Sequence, residues 1–122
     1  MSKERLARLV AIAAMKRDAD LSRLAAAAAR LSRAEALRAE IEAGLRRETV
    51  AVTTSHDLAG LTVLEGHERF LQQTLDRLAG EIGRLAAQKE DARTLAATSF
   101  GRALAIESIA ASPNAAPGTG GQ

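Results

Sequence analysis

Residues 61–85, LTVLEGHERFLQQTLDRLAGEIGRL, contain the repeat that decides the fold. Leucine recurs there every seven residues, at Leu64, Leu71, Leu78 and Leu85. A second apolar row lies three or four residues from the first, at Leu75 and Ile82. This spacing predicts a long helix that packs along another helix, and the interface between the two helices is called the seam below.

The two rows continue beyond Leu85 with smaller or more polar side chains. The first row continues through Ala92, Ser99 and Ile106. The second row holds Glu68, Lys89, Ala96, Ala103 and Ala110. We therefore expect the seam to narrow after Leu85 without ending, and Ser99 to fit it as a small side chain.

The composition favours long helices over a globule. Of the 122 residues 47% are hydrophobic, but many of these are alanine, and the chain has two phenylalanines and neither tyrosine nor tryptophan. Few large side chains are available to fill a compact core. The predicted fold class is all-α, a long two-helix antiparallel coiled-coil hairpin with a disordered C-terminal tail.

Local signals divide the chain into two arms of one hairpin domain, residues 1–111. Ser2 can cap a first helix over about residues 3–49, and the β-branched cluster that begins at Thr49 predicts a reversal over about 50–60. Thr62 with Glu65 forms a capping box for a second helix over about 61–111. Proline and glycine predict a disordered tail over 112–122. Each arm would be about 70 Å long.

Charge is concentrated at the N-terminal end. Residues 1–33 hold eight basic and three acidic side chains, a local net charge of +5 in a chain of net charge +2. The absence of cysteine favours a cytoplasmic location. The apolar run Leu9–Met15 is short for a signal peptide and far short of a membrane span. We therefore expect membrane association to be at most peripheral, at the inner membrane face and only through protein partners.

No group of residues predicts catalysis, a cofactor or a metal. His56 and His67 are the only histidines, and no carboxylate cluster accompanies them at ligand spacing. The tail glycines lack the lysine and helix start of a phosphate loop. The basic end has no stacking aromatic or nucleic-acid-binding motif, so we expect no nucleic-acid partner. We expect a non-enzymatic protein that binds other proteins.

Two glycines inside the second helix, Gly80 and Gly83, lie off both rows of the seam. Each costs about 1 kcal/mol relative to alanine in a helix. They mark either a tolerated bend or a place where the backbone of a partner approaches closely.

The order and length of these parts resemble the FliJ family of flagellar type III export stalk proteins, which is related to the YscO-type injectisome proteins. The resemblance lies in the basic first helix, an arm that ends near Glu48, the segment Ala59-Gly60-Leu61-Thr62, and RFLQQTL at residues 69–75. It covers about residues 1–111.

The resemblance implies a coiled coil similar to the rotary stalk of F-type ATPases. In this family the terminal end enters the pore of the export ATPase hexamer, and the protein also contacts the export gate and export chaperones. By position, the ring-binding candidates are Lys3, Arg5, Arg8, Lys16 and Arg17. The gate-binding candidates are Leu71, Leu75, Leu78 and Ile82.

The sequence departs from the family pattern at the gate-binding face. Family members often have aromatic residues there, whereas these four positions have none, and the same four residues are assigned to the seam. If the seam buries them, the gate-binding face shifts to neighbours such as Phe70 or Arg77.

Two alternatives from other functional classes stay open. A stand-alone coiled-coil adaptor or export chaperone would bind helical partners through apolar candidates, namely Leu95, Phe100, Leu104 and Ile109. A peripheral membrane module would use the first helix, where Leu6, Leu9, Val10 and Ile12 are flanked by basic residues. The sequence also leaves open a swapped dimer, a flagellar or injectisome system, and the cargo.

Overall fold

A computed structural model of the chain describes residues 2–55 and 58–112. Helix α1 spans Lys3–Ser55 and helix α2 spans Leu58–Ala111, and the described residues contain no strand. The predicted all-α helical hairpin is confirmed. Apart from Ser112, the predicted tail lies outside the described residues, and so does His56.

Two predicted helix ends are confirmed by backbone hydrogen bonds. At the start of α1, the Arg5 amide donates to the hydroxyl oxygen of Ser2 at 3.1 Å. The Leu6 amide donates to the Ser2 carbonyl at 3.0 Å, which is the first regular bond of the helix, so the Ser2 hydroxyl satisfies one of the otherwise free amides of the first turn. At the end of α2, the Ser112 amide donates to the Ile109 carbonyl at 3.1 Å, which closes the last turn after Ala111.

The predicted reversal over residues 50–60 is too long. Helix α1 continues to Ser55, and α2 already begins at Leu58. Threonine and valine lower helix propensity by only a few tenths of a kcal/mol each, and no glycine or proline lies between Thr49 and Ser55. The Thr49 hydroxyl lies 2.9 Å from the Leu45 carbonyl and 3.0 Å from Glu68 Oε1 of α2, and these contacts favour continuation of the helix.

The predicted capping box at Thr62 is wrong. Because α2 starts at Leu58, Thr62 lies inside the helix, and its hydroxyl donates to the Leu58 carbonyl at 3.2 Å. A threonine in a helix commonly makes this bond to the carbonyl four residues earlier.

The chain forms two compact units, and each contains a segment of both helices. Unit 1 comprises Met1–Ala27 with Gln88–Gln122, and unit 2 comprises Ala28–Ala87.

Small side chains and one polar pair dominate the core of unit 1. Its buried residues are Leu6, Asp20, Ala27, Ala96, Ser99 and Ala103. The three on α2 lie on the two predicted rows, which confirms the seam beyond Leu85. Arg17 contacts Glu107 whereas Asp20, later in α1, contacts the earlier residue Ser99, so the two segments are antiparallel.

Leucine dominates the core of unit 2. Its buried residues are Leu31, Leu64, Leu78 and Leu85, and Leu71, Leu75 and Ile82 are half-buried beside them. Full burial of a leucine side chain stabilises a fold by about 1.5–3 kcal/mol, several times more than burial of alanine. The heptad leucines thus provide the main apolar packing of this unit.

Neither helix contains a stretch that is apolar and uncharged enough to cross a lipid bilayer.

Gly80 and Gly83 lie on the exposed surface of α2, as the sequence predicts. A β-carbon built on Gly80 or Gly83 would meet no atom within 4 Å. No neighbour in the described chain therefore requires a glycine at either position, and contact with the backbone of a partner stays a prediction.

We expect Gly80→Ala and Gly83→Ala each to raise the free energy of unfolding by about 1 kcal/mol, because alanine restricts the unfolded chain and fits the helix without strain. Urea denaturation followed by circular dichroism measures this change. The matched control is Ala87→Gly on the exposed surface of α2, which should lower stability by a similar amount. Glycine variants that are no more stable than the parent contradict the prediction.

Candidate functional site

Three of the predicted ring-binding cations are free on the surface of unit 1. Lys3, Arg5 and Arg8 are exposed, and no ion pair joins their side chains to another residue in the described part of the chain. They lie in the first two turns of α1, where no described acid neutralises them. They are therefore available to an anionic partner.

The other two predicted cations take part in contacts within unit 1. Arg17 Nε lies 3.1 Å from Asp18 Oδ1, and its Nη1 lies 3.5 Å from Glu107 Oε1 on α2. The Arg17 side chain is only 26% exposed. Lys16 Nζ lies 3.3 Å from the carboxylate of Asp20. The sequence predicts one role, ring binding, for all five cations. In the structure Lys16 and Arg17 also contact acids of unit 1.

A buried carboxylate lies at the centre of the unit 1 seam. Asp20 is 1% exposed, and the Ser99 hydroxyl of α2 donates a hydrogen bond to its Oδ2. Its Oδ1 accepts from Lys16 Nζ at 3.3 Å and from Arg23 Nη1 at 3.1 Å. Every described side-chain nitrogen or oxygen that is buried has a hydrogen-bond partner, so this polar group lies in the seam without an unsatisfied atom.

The surroundings of Asp20 favour its charged form. The hydrogen bond from Ser99, reinforced by Lys16 and Arg23, lowers the pKa of the Asp20 carboxyl below its ordinary value, although burial acts in the opposite direction. Sequence analysis missed this pair because it traced the rows of the seam on the second helix alone, where Ser99 was identified only as a small side chain. The available signal was that Asp20 lies three residues after Arg17 and four before Leu24, the 3–4 spacing of seam positions.

Burial corrects part of the predicted gate-binding face. Leu78 is buried in the core of unit 2, where it lines a cleft with Ala34 and Leu37 of α1, and it presents no surface to a partner. The remaining candidates are half-buried and stay predictions, namely Leu71, Leu75 and Ile82. The neighbouring Phe70 is 59% exposed. Off-seam residues of α2 therefore offer the accessible surface here.

The four apolar candidates near the end of α2 are all exposed, but they do not form one surface. Leu95 and Ile109 are two heptads apart and share one side of the helix, whereas Phe100 and Leu104 lie on the other. At about 100° per residue, Leu95 and Phe100 are about 140° apart around α2. The single apolar patch expected from sequence proximity is therefore two smaller patches, one on each side of the seam.

His67 makes a contact between the two helices in unit 2. Its Nε2 lies 3.1 Å from Glu48 Oε2, and both side chains are about half exposed. Within the described residues, no three His, Asp or Glu side chains are grouped closely enough to hold a metal ion. The pair therefore joins α1 to α2 as a partly exposed contact.

An open cleft of about 730 Å³ lies in unit 2 beside the contact between Thr49 and Glu68, which both line it. Leu45 and Val50 provide apolar lining, and the charged lining includes Arg46, Glu65 and Arg69. Sequence analysis missed the cleft because it exists only where α1 and α2 meet, and their pairing register is not visible in either helix alone.

The chain matches no protein-family model, curated protein or solved structure in comparisons at the level of significance applied.

We expect the stability contributed by Asp20 to depend on pH. Its pKa is lowered in the folded state, so the contribution is present above the unfolded value of about 3.9 and is lost as pH falls through the folded value. The difference in unfolding free energy between the parent and Asp20→Asn should therefore be largest near neutral pH. It should decrease toward zero in acid. Urea denaturation across an acid pH series measures it.

The control for this series is Asp18→Asn. The Asp18 side chain is 67% exposed, so its replacement should change stability little at any pH. The role assigned to Asp20 is contradicted if the difference in unfolding free energy between the parent and Asp20→Asn stays constant with pH. It is also contradicted if Asp18→Asn gives an equal difference.

Proposed function

We propose that this chain is a non-enzymatic coiled-coil stalk of the flagellar type III export apparatus, which couples an export ATPase ring to the export gate. The observation that carries the proposal is the set of unpaired cations, Lys3, Arg5 and Arg8, on an antiparallel two-helix unit. The resemblance in the order and length of the parts supports it. The proposed location is the cytoplasm, at the inner face of the membrane.

The cations that contact the ring in this proposal are those whose side chains form no ion pair with another residue in 2–55 or 58–112. Arg5 and Arg8 can approach an acidic pore without breaking an ion pair, whereas Arg17 would first lose Glu107. Electrostatic attraction between opposite surfaces raises association rates and orients the encounter. Arg5 and Arg8 are thus the main ring-binding residues of the proposal, and Arg17 supports the unit that presents them.

The proposed gate contact moves from the seam to the exposed side of α2. Phe70 and Arg77 are one heptad apart, so they lie on the same side of the helix, and both are exposed. An exposed aromatic ring can be buried by a partner without opening unit 2. Phe70 is also an aromatic residue next to the positions where family members often have one.

We expect Arg5→Glu combined with Arg8→Glu to weaken binding to the export ATPase by about tenfold or more at low salt, because two attractive charges become repulsive. The difference should shrink as salt screens the interaction. Pull-down followed by titration against the ATPase ring measures it.

Arg30→Glu combined with Arg33→Glu is the matched control. These arginines have the same three-residue spacing on α1, are exposed, and have no ion pair with another described residue, but they lie in unit 2. The assignment of Arg5 and Arg8 to ring binding is contradicted if the two double variants bind the ring equally. It is also contradicted if the Arg5 and Arg8 variant binds as well as the parent.

The second candidate function is a coiled-coil adaptor or chaperone, and a specific observation favours it. Phe100 and Leu104 are about half exposed and lie four residues apart on one side of α2. A helix from a second chain could cover both side chains at once, which would remove apolar surface from water.

If the adaptor function holds, sedimentation velocity should show a homodimer that dissociates when Phe100→Ala and Leu104→Ala are combined. Because both side chains are already about half buried, covering the rest would contribute about 1.5–3 kcal/mol per chain, so their loss should shift dissociation by about tenfold or more. Leu95→Ala with Ile109→Ala, on the other side of α2, is the control. A monomeric parent at all concentrations contradicts self-association through this patch.

A further inference from the structure

One surface of unit 1 combines exposed apolar side chains with cations and is used by neither the seam nor the ion pair of Arg17. Ile12 is 60% exposed and Met15 is 70% exposed, with the exposed Leu9 beside them. This surface, the basic apolar face, consists of Arg5, Arg8, Leu9, Ile12, Met15, Lys16, Ala19 and Arg23. The seam takes other residues of the same turns, such as Leu6 and Val10.

Three acids of α1 belong to unit 1, and two of them border this face. Glu4 borders it one turn before Arg8, and Asp18 borders it three residues after Met15, at about 120° from Ile12 around the helix. Asp20 is buried in the seam, where it contacts Ser99. The face is therefore predominantly basic with acids at its edge, and Asp20 partly neutralises Lys16 and Arg23.

The neighbouring side of α2 shares the apolar character of this face but not its positive charge. Arg17 reaches Glu107, which lies on the side of α2 that also presents Phe100 and Leu104. Because that side of α2 lies next to Arg17, the opposite side lies next to Lys16 and Arg23. The exposed residues on the opposite side include Leu95, Arg102, Ile109 and one acid, Asp91. The apolar surface therefore extends from α1 to α2 within unit 1, whereas the excess positive charge lies on α1.

We propose that the basic apolar face docks on the surface of an anionic phospholipid bilayer. The charge complementarity is direct: lipid phosphates and carboxylates meet Arg5, Arg8, Lys16 and Arg23, while Leu9, Ile12 and Met15 enter the boundary with the acyl chains. Stable attachment to a membrane surface requires both apolar insertion and electrostatic attraction, and this face supplies both. The proposal adds a lipid contact to the stalk function and does not depend on it.

Other anionic partners fit this face less well. Single-stranded nucleic acid is bound by aromatic platforms, and the face has none, since Phe100 lies on the other side of α2. A partner helix packs best on a continuous apolar stripe, whereas cations interrupt this one: the line Arg5, Leu9, Ile12, Lys16, Ala19, Arg23 is basic at both ends and in the middle.

Flotation of the full chain with vesicles tests the proposal. The chain should float with phosphatidylcholine vesicles that contain phosphatidylserine and stay unbound with phosphatidylcholine alone. Ile12→Asn combined with Met15→Gln should reduce the bound fraction by about tenfold, because the cations alone hold the chain weakly. Circular dichroism of each variant verifies that the helices persist.

The matched control is Phe100→Gln combined with Leu104→Asn, which removes comparably exposed apolar side chains from the opposite side of unit 1. This variant should float like the parent. No flotation of the parent overturns the proposal, as does equal binding by the Ile12 and Met15 variant. A third outcome also overturns the proposal: polyglutamate competes fully with vesicles for the chain, and the Ile12 and Met15 changes leave polyglutamate binding unaffected. The face would then recognise an acidic protein. The assay contains no ATPase, so its outcome is independent of the stalk proposal.

Discussion

The structure depends on the seam between two helices, because a fold of two helices has no other place to bury side chains. All buried residues of α2 lie on the rows that run through Leu64, Leu78 and Leu85 and continue through Ala96, Ser99 and Ala103. Most residues one or two places away from these rows are exposed, with partly buried exceptions such as Thr74 and Glu107. The function of such a chain must therefore lie in the surface chemistry beside the seam, since neither helix encloses a site.

The seam also contains a polar contact that distinguishes one pairing register from others. A shift of one heptad in unit 1 would place Asp20 opposite Ala92 or Ile106, and neither side chain can donate a hydrogen bond. The carboxylate would then lose the donor that most lowers its pKa while remaining near the seam. Alanine surfaces such as Ala96 and Ala103 specify register weakly, because one alanine resembles the next. A buried polar residue is the best-attested means of fixing register in coiled coils.

Most of the fold could be predicted from periodicity and capping, because both depend on residues close together in sequence. The heptad rows, the Ser2 cap and the end of α2 at Ala111 required no knowledge of the partner helix. The extension of α1 through Thr49 to Ser55 could not be predicted from propensity, since weak local preferences yield to tertiary contacts such as the one between Thr49 and Glu68. The Asp20–Ser99 pair and the cleft lined by Thr49 and Glu68 could not be predicted, because both depend on the pairing register of the two helices. The division of the apolar candidates into two patches could have been predicted, because it follows from the angle of about 100° per residue in a helix. It was missed because the candidates were grouped by their proximity in sequence.

The two proposals for unit 1 share cations, and this limits how they can operate together. Arg5 and Arg8 belong both to the free cations proposed for the ATPase ring and to the basic apolar face proposed for lipid. A guanidinium can contact two anions at once, as Arg17 contacts Asp18 and Glu107, but side chains enclosed in the pore of a ring cannot also reach a bilayer. The two binding events therefore compete wherever both partners are present. Charge alone cannot determine which partner prevails, because both are anionic. The discrimination lies with Ile12 and Met15, since an acidic pore gains little from apolar side chains whereas a bilayer takes them out of water. The apolar residues of this face, and not its more conspicuous arginines, therefore determine its specificity.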